Sequence, residues 1–222
     1  VLGALTGVIL MRRSNQQTAP LVPVDLLKIS SLRFAIAASL CTFSAQMATF
    51  ISLPFYLQQT LHRPQSSVGM LMAAWPMGAA LIALVAGRLS NIYPVAILSG
   101  LGAGSMATGI AIIVLMPESA SDVWLMLAMA LAGVGFGFFQ TPNNRVIIGS
   151  APRHRAGALG GLQATTRVFG QTFGAAMVAS AFSLSVSFGP TLGLIVGITF
   201  ASIAVLVNVI RHRQAGASRS EG

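Results

Sequence analysis

Six long apolar runs, separated by short connections, constrain this chain more than any other feature. They cover Phe34–Gln58, Ser66–Arg88, Pro94–Met116, Asp122–Pro142, Ala156–Phe182 and Phe188–Ile210. At about 1.5 Å per residue, even the shortest can cross a hydrocarbon core of about 30 Å as a helix. The runs are rich in Ala, Leu, Gly, Ile and Val and lack the period-2 alternation of a membrane barrel strand. Lipid offers the backbone no hydrogen-bond partner, so each run must satisfy its own amide groups, which only a helix does within one segment. An all-α membrane protein follows. Composition agrees: charged residues make up 8% of the chain, against about 25% in a soluble domain.

The charges between the runs set an orientation. Arg12, Arg13, Lys28 and Arg33 precede the first run, Arg88 follows the second, Arg145, Arg153 and Arg155 follow the fourth, and Arg211, Arg213 and Arg219 follow the sixth. Of the thirteen Lys and Arg residues, only Arg63 and Arg167 fall elsewhere. The positive-inside rule makes the basic set of loops cytoplasmic, so both ends of the chain are expected on the cytoplasmic side of the membrane. The net charge of +9 is spread over these loops, not gathered on one face, so nucleic acid is not an expected partner; the lipid bilayer is.

Four segments are expected. Residues 1–11 are apolar but too short to span, and read as the end of a preceding spanning helix in a longer protein. Residues 12–33, with Pro20 and Pro23, read as a cytoplasmic linker. Residues 34–210 form a six-helix transmembrane bundle. Residues 211–222 form a cytoplasmic tail, disordered from Gln214 on because it is small and polar. A lone cysteine, Cys41, and three scattered histidines, His62, His154 and His212, leave no metal site, and no cofactor is expected. No nucleophile–base pair can be assembled, so an enzyme is not expected.

Four polar or small-residue features stand out. Arg167 lies near the middle of the fifth run, where a charge costs about 2.5–3.5 kcal/mol on insertion scales. Gln163 and Gln171 lie one turn to either side of it, and Gly160 and Gly174 lie beyond them on the same face. Two readings are open, a solute or ion pathway and a structural tether. Gly157-x-x-x-Gly161 and Gly170-x-x-x-Gly174 on the fifth run, with Gly133, Gly135 and Gly137 on the fourth, are read as helix-packing positions. Ser39, Thr42, Gln46 and Thr49 form a polar stripe on the first run, suited either to a wet cavity or to bonding another helix. Gly87, Arg88, Leu89, Ser90 and Asn91 form a glycine–arginine loop between the second and third runs. No Asp or Glu lies centrally in any run, so the chain shows no proton carrier of the usual intramembrane kind.

Taken together, these residues resemble the C-terminal half of a major facilitator superfamily transporter. Gly87–Asn91 is similar to the second, degenerate copy of that superfamily's cytoplasmic loop motif, G-x-L-a-D-r-x-G-r-[RK]. Asn91 stands where the motif carries an acid, and the trailing basic pair is absent, which puts the motif's gating contact in question. Gly133-Val-Gly-Phe-Gly-Phe-Phe-Gln-Thr-Pro142, Pro152-Arg-His-Arg-Ala-Gly157 and Arg167-Val-Phe-Gly-Gln-Thr-Phe-Gly174 resemble the fourteen-spanner drug:proton antiporters. Within them the likeness is to the methyl viologen and quaternary ammonium exporters. Pro20–Leu27 looks like the approach to the C-terminal bundle of that family. The resemblance implies a six-helix C-terminal bundle built from two inverted three-helix repeats, Phe34–Met116 and Asp122–Ile210. It implies proton-coupled efflux of small lipophilic cations, with the coupling acid on an N-terminal bundle that would be this chain's partner. Gln46, Phe136, Gln163, Arg167 and Gln171 are then the expected substrate-pathway residues. The alternatives are a facilitator for another small solute, such as a sugar or organic acid, and a non-transporting membrane fragment or scaffold.

Overall fold

The computed structural model describes residues 29–150, 152, 155–185 and 187–220, with side chains through Ala215. Segment 1–11 and most of the linker lie outside the described residues. Six helices follow one another: α1 (Ser30–Phe55), continued by a π-helical turn over Tyr56–Thr60, α2 (Gln65–Leu89), α3 (Val95–Leu115), α4 (Asp122–Gly149), α5 (Ala156–Leu184) and α6 (Gly189–Ser220). No strand occurs among the described residues.

The packing pattern displays the inverted repeat that sequence identity hides. α1 packs on α5 and α6, while α4 packs on α2 and α3. The first helix of each three-helix unit thus clasps the second and third helices of the other. The two third helices, α3 and α6, pack on each other, and α1 meets α4 along the middle. α2 and α5 form no packed interface with each other, so the bundle has one open side, between them.

The helix ends correct three expectations. α1 begins at Ser30, so the last residues assigned to the linker are helical. α4 runs past Pro142 to Gly149, which makes Arg145 helical where a loop is expected. α6 continues through Arg211 to Ser220, in place of a disordered tail from Gln214. Five of the six helices are candidate spans by length and composition alone, and α5, with 29 residues, is long enough but has no stretch as apolar as theirs. Gln163, Thr165, Thr166, Arg167, Gln171 and Thr172 dilute its apolar content. Pro142 does not end α4 because in lipid the freed carbonyl has nowhere better to go, and neighbouring helices hold the chain on course.

The core is aliphatic, with an aromatic ladder across α1, α2 and α4. Phe50 meets Trp75 at a tilt with ring centres 5.2 Å apart, Trp75 meets Phe136 at 6.3 Å, and Phe136 meets Phe43 edge-on at 5.8 Å. Such pairs add about 0.5–1.5 kcal/mol each beyond their buried area. Glycines let α4 approach both neighbours. A Cβ on Gly133 would strike the Trp75 carbonyl of α2, one on Gly137 the Ala79 carbonyl of α2, and one on Gly135 the backbone at Met106 of α3.

The end of the bundle that holds the α1–α2 and α3–α4 connections is tied by Arg63. Its Nε lies 3.3 Å from Asp122 Oδ1, and its Nη2 donates to the carbonyls of Glu118, at 3.4 Å, and Ala120. This arginine, one of the two exceptions to the loop-charge pattern, is a clasp between loops. The half-exposed ion pair itself contributes little; the carbonyl bonds fix its geometry.

Candidate functional site: a polar cleft between α4 and α5

Three consecutive residues of α4, just after Pro142, point in three directions about 100° apart, as helical geometry requires. Asn143 turns into the bundle, Asn144 towards α5 and Arg145 towards the α2–α3 loop.

Arg145 meets the loop motif. Its Nη1 donates to Ser90 Oγ at 3.1 Å and to Asn91 Oδ1. Asn91 therefore keeps a contact despite lacking the acid: the amide oxygen accepts where a carboxylate would. Ser90 Oγ also donates to the Gly87 carbonyl at 2.8 Å, which shapes the turn.

Asn143 sits at the centre of a buried network. Its Nδ2 donates to the Ala35 carbonyl at 3.0 Å and to Ser39 Oγ at 2.8 Å, both on α1. Its Oδ1 accepts from Arg211 Nη1 at 3.2 Å, and Arg211 Nη2 donates to Ser31 Oγ at 3.2 Å. Asn143 is wholly buried and Arg211 is 6% exposed. Arg211, which the sequence places in the tail, thus locks α6 to α1 and α4. Of the polar stripe on α1, Ser39 joins this network, while Thr42 and Thr49 donate to carbonyls of their own helix at Ala38 and Ala45.

Asn144 opens onto a cleft of about 160 Å³ lined by Gln140, Asn144, Gly160, Gln163, Ala164 and Arg167. Gln140 and Asn144 are one turn apart on α4, and Gln163 and Arg167 one turn apart on α5, so two polar pairs face each other. The three amides are half-buried and Arg167 is exposed. Arg167 lies eleven residues into α5, roughly 17 Å along the helix, and makes no hydrogen bond or ion pair among the described residues. The cleft offers a cation and three amides that can donate or accept, beside the bundle's open side.

The other expected pathway residues are dispersed. Gln171 is half-buried on α5, one turn beyond Arg167 and outside the cleft lining. Gln46 is half-buried on α1, with a buried Oε1 that has no hydrogen-bond partner. Phe136 is 7% exposed within the aromatic ladder. The expected packing glycines divide by face. Gly170 and Gly174 press on α1, where Ser44 Oγ donates to the Gly170 carbonyl at 2.9 Å and a Cβ on Gly174 would strike Ser44. Around Gly157, Gly160 and Gly161 there is nothing within 4 Å of an added Cβ, so they pack on nothing in this bundle. Gln140 and Asn144 were not singled out by sequence reasoning; the i, i+4 spacing of two amides at the polar end of α4 is the signal that marks them.

Six helices in two clasped three-helix units, with a gap between α2 and α5, have the form of one bundle of a membrane protein built from paired helical bundles. The Major Facilitator Superfamily profile matches residues 2–175, and the chain belongs to that family. Among similar proteins, the uncharacterized transporter YebQ of Escherichia coli is 39% identical over 96% of this chain and 47% of its own length. The riboflavin transporter RibZ of Clostridioides difficile is 26% identical over 74% of this chain and 37% of its own. The multidrug efflux pump LfrA of Mycolicibacterium smegmatis is 20% identical over 82% of this chain and 36% of its own. The chain thus spans about half the length of the first of these relatives and just over a third of the other two.

Proposed function

We propose that this chain is the C-terminal bundle of a proton-coupled exporter of small lipophilic cations, with the α4–α5 cleft on the solute's path. The observation that carries the pathway reading is Arg167, a mid-helix cation in an open polar cleft with no partner among the described residues. Membrane helices keep such a group, at about 2.5–3.5 kcal/mol, where it meets water, a solute or a countercharge. The likeness to a multidrug efflux pump and to a tetracycline resistance determinant of Streptomyces rimosus supports export of drug-like molecules. The acids among the described residues, Glu118 and Asp122, lie at the edge of the bundle, so this reading assigns proton coupling to a partner N-terminal bundle of the same transporter. Transport would be a rocking of the two bundles around the cleft. The basic loops orient both ends of the chain towards the cytoplasm of a bacterial cell.

A second reading, a facilitator for another small solute, draws on the sign of the charge. The cleft's cation favours a solute bearing carbonyl or anionic groups and repels a cation unless the partner bundle neutralises it. The likeness to a riboflavin transporter points the same way. The test uses the full-length transporter in everted vesicles under an imposed pH gradient, with ethidium, methyl viologen and riboflavin as probes. Proton-driven uptake of the cations, lost in Arg167→Gln, is the expected result. Riboflavin movement without cation movement would establish the second reading instead, and unaltered transport in Arg167→Gln would remove the cleft from the pathway.

A further inference from the structure

On the far side of the bundle from the gap between α2 and α5, a groove of about 460 Å³ runs between α3 and α6. Its walls are apolar, from Ala96 to Gly104 on α3 and from Val205 to Val209 on α6. Polar side chains gather at one end, where His212 and Arg213 stand exposed. We propose that this groove is a binding site for one anionic phospholipid, from the leaflet on the side of the α2–α3 loop and the C-terminal end of α6.

Dimensions come first. The α3 wall from Ala96 to Ser105 and the α6 wall from Val205 to Arg213 each rise for roughly 12–14 Å at about 1.5 Å per residue. That is close to one leaflet, half of a hydrocarbon core of about 30 Å. The groove therefore has the depth of an acyl chain and opens at headgroup level.

The glycines come second. α3 divides its glycines between two faces. Gly102 and Gly109 press on α4, where a Cβ would strike the backbone at Phe139 and Ala128–Ala132. Gly100 and Gly104 face the groove, where an added Cβ would meet its nearest atoms at 3.5 Å and 3.8 Å, ordinary contact. Helix packing does not require glycine at those two positions. Their effect is to hollow the groove.

The polar groups come third. In the basic run 211–213, Arg211 is turned inward and held by Asn143 and Ser31. His212 and Arg213 face outward at the mouth, where a phosphate would sit. One turn below His212, Asn208 lines the groove fully buried; its Nδ2 donates to the Ala204 carbonyl at 2.8 Å, while its Oδ1 has no partner. A buried acceptor without a donor is costly, and a turn of the side chain towards the groove would bring it a headgroup hydroxyl. An apolar slot one leaflet deep, cationic at its mouth, with an orphan acceptor beneath, matches a phosphatidylglycerol-like lipid better than a zwitterionic one.

The test measures lipid retained by the purified full-length transporter, by native mass spectrometry after exchange into mixed phosphatidylglycerol–phosphatidylcholine bicelles. The protein is expected to retain phosphatidylglycerol selectively. Arg213→Gln should cut that preference about fivefold, the worth of one basic residue near an anionic surface. Gly104→Leu should abolish retention of both lipids by filling the slot, with the melting temperature unchanged. Equal retention of the two lipids by the unaltered protein would overturn the proposal. So would retention unchanged in both variants, or a cysteine at position 104 that cross-links to another segment of the transporter, since a protein element would then fill the groove.

Discussion

Asn143 and Asn144 are neighbours on α4, yet one belongs to a closed polar cluster and the other to an open one. Each cluster pairs an asparagine of α4 with an arginine of another helix, Arg211 on α6 and Arg167 on α5. Around Asn143 the side-chain amide and the Arg211 guanidinium meet partners on α1, α4 and α6, and water is excluded. Around Asn144 four polar side chains line a space, and Arg167 is exposed without a partner among the described residues. Low dielectric rewards the first arrangement and penalises the second. The closed cluster can stabilise the fold; the open one leaves its polar groups free for the solute path proposed above.

That contrast can be broken by substitution. Asn143→Leu has the largest expected effect: it takes one of Arg211's two acceptors, leaving Ser31, and removes two bonds to α1. The loss is on the order of 1.5–3 kcal/mol for the charged bond alone, visible as a lower melting temperature in nanodiscs. A result within error of the unaltered protein would mean the network is not structural. The glycines of α5 extend the same test to that helix. Gly174→Val drives a Cβ into Ser44 of α1 and should cost about 1–3 kcal/mol. Gly157→Val meets nothing in this bundle and should leave its melting unchanged; a large loss there would place an unseen neighbour against that face. Between those two in size, Ser39→Ala removes one acceptor from Asn143 and should cost about 0.6 kcal/mol, the mean for interhelical bonds in membranes.

Much of the fold is legible in the chain because lipid imposes one rule, an apolar helix, on every span. The six helices, and Arg167 inside the fifth, follow from that rule. The ends do not. Pro142 reads as a stop because proline removes a hydrogen bond, but a membrane helix has no solvent into which to unravel. Arg211 reads as a tail charge because it follows the last apolar run; only the partners across the bundle, Asn143 and Ser31, reveal it as buried. The cleft is half legible for a related reason. Gln163 and Arg167 stand out on one helix, while Gln140 and Asn144 become meaningful once α4 and α5 lie side by side. Asn91 teaches the converse: a missing acid suggests a lost contact, and Arg145, a residue of α4, restores it.

In the proposed division of labour, the α4–α5 cleft carries solute and the Asn143–Arg211 cluster carries stability. The most direct measurement compares Arg167→Gln and Arg211→Gln in the full-length transporter, reading proton-driven ethidium movement and melting temperature on the same preparations. The account predicts that Arg167→Gln keeps or raises the melting temperature and abolishes transport, while Arg211→Gln lowers the melting temperature, with any transport loss following the loss of folded protein. Arg167→Gln that unfolds the protein, or that transports normally, would contradict it.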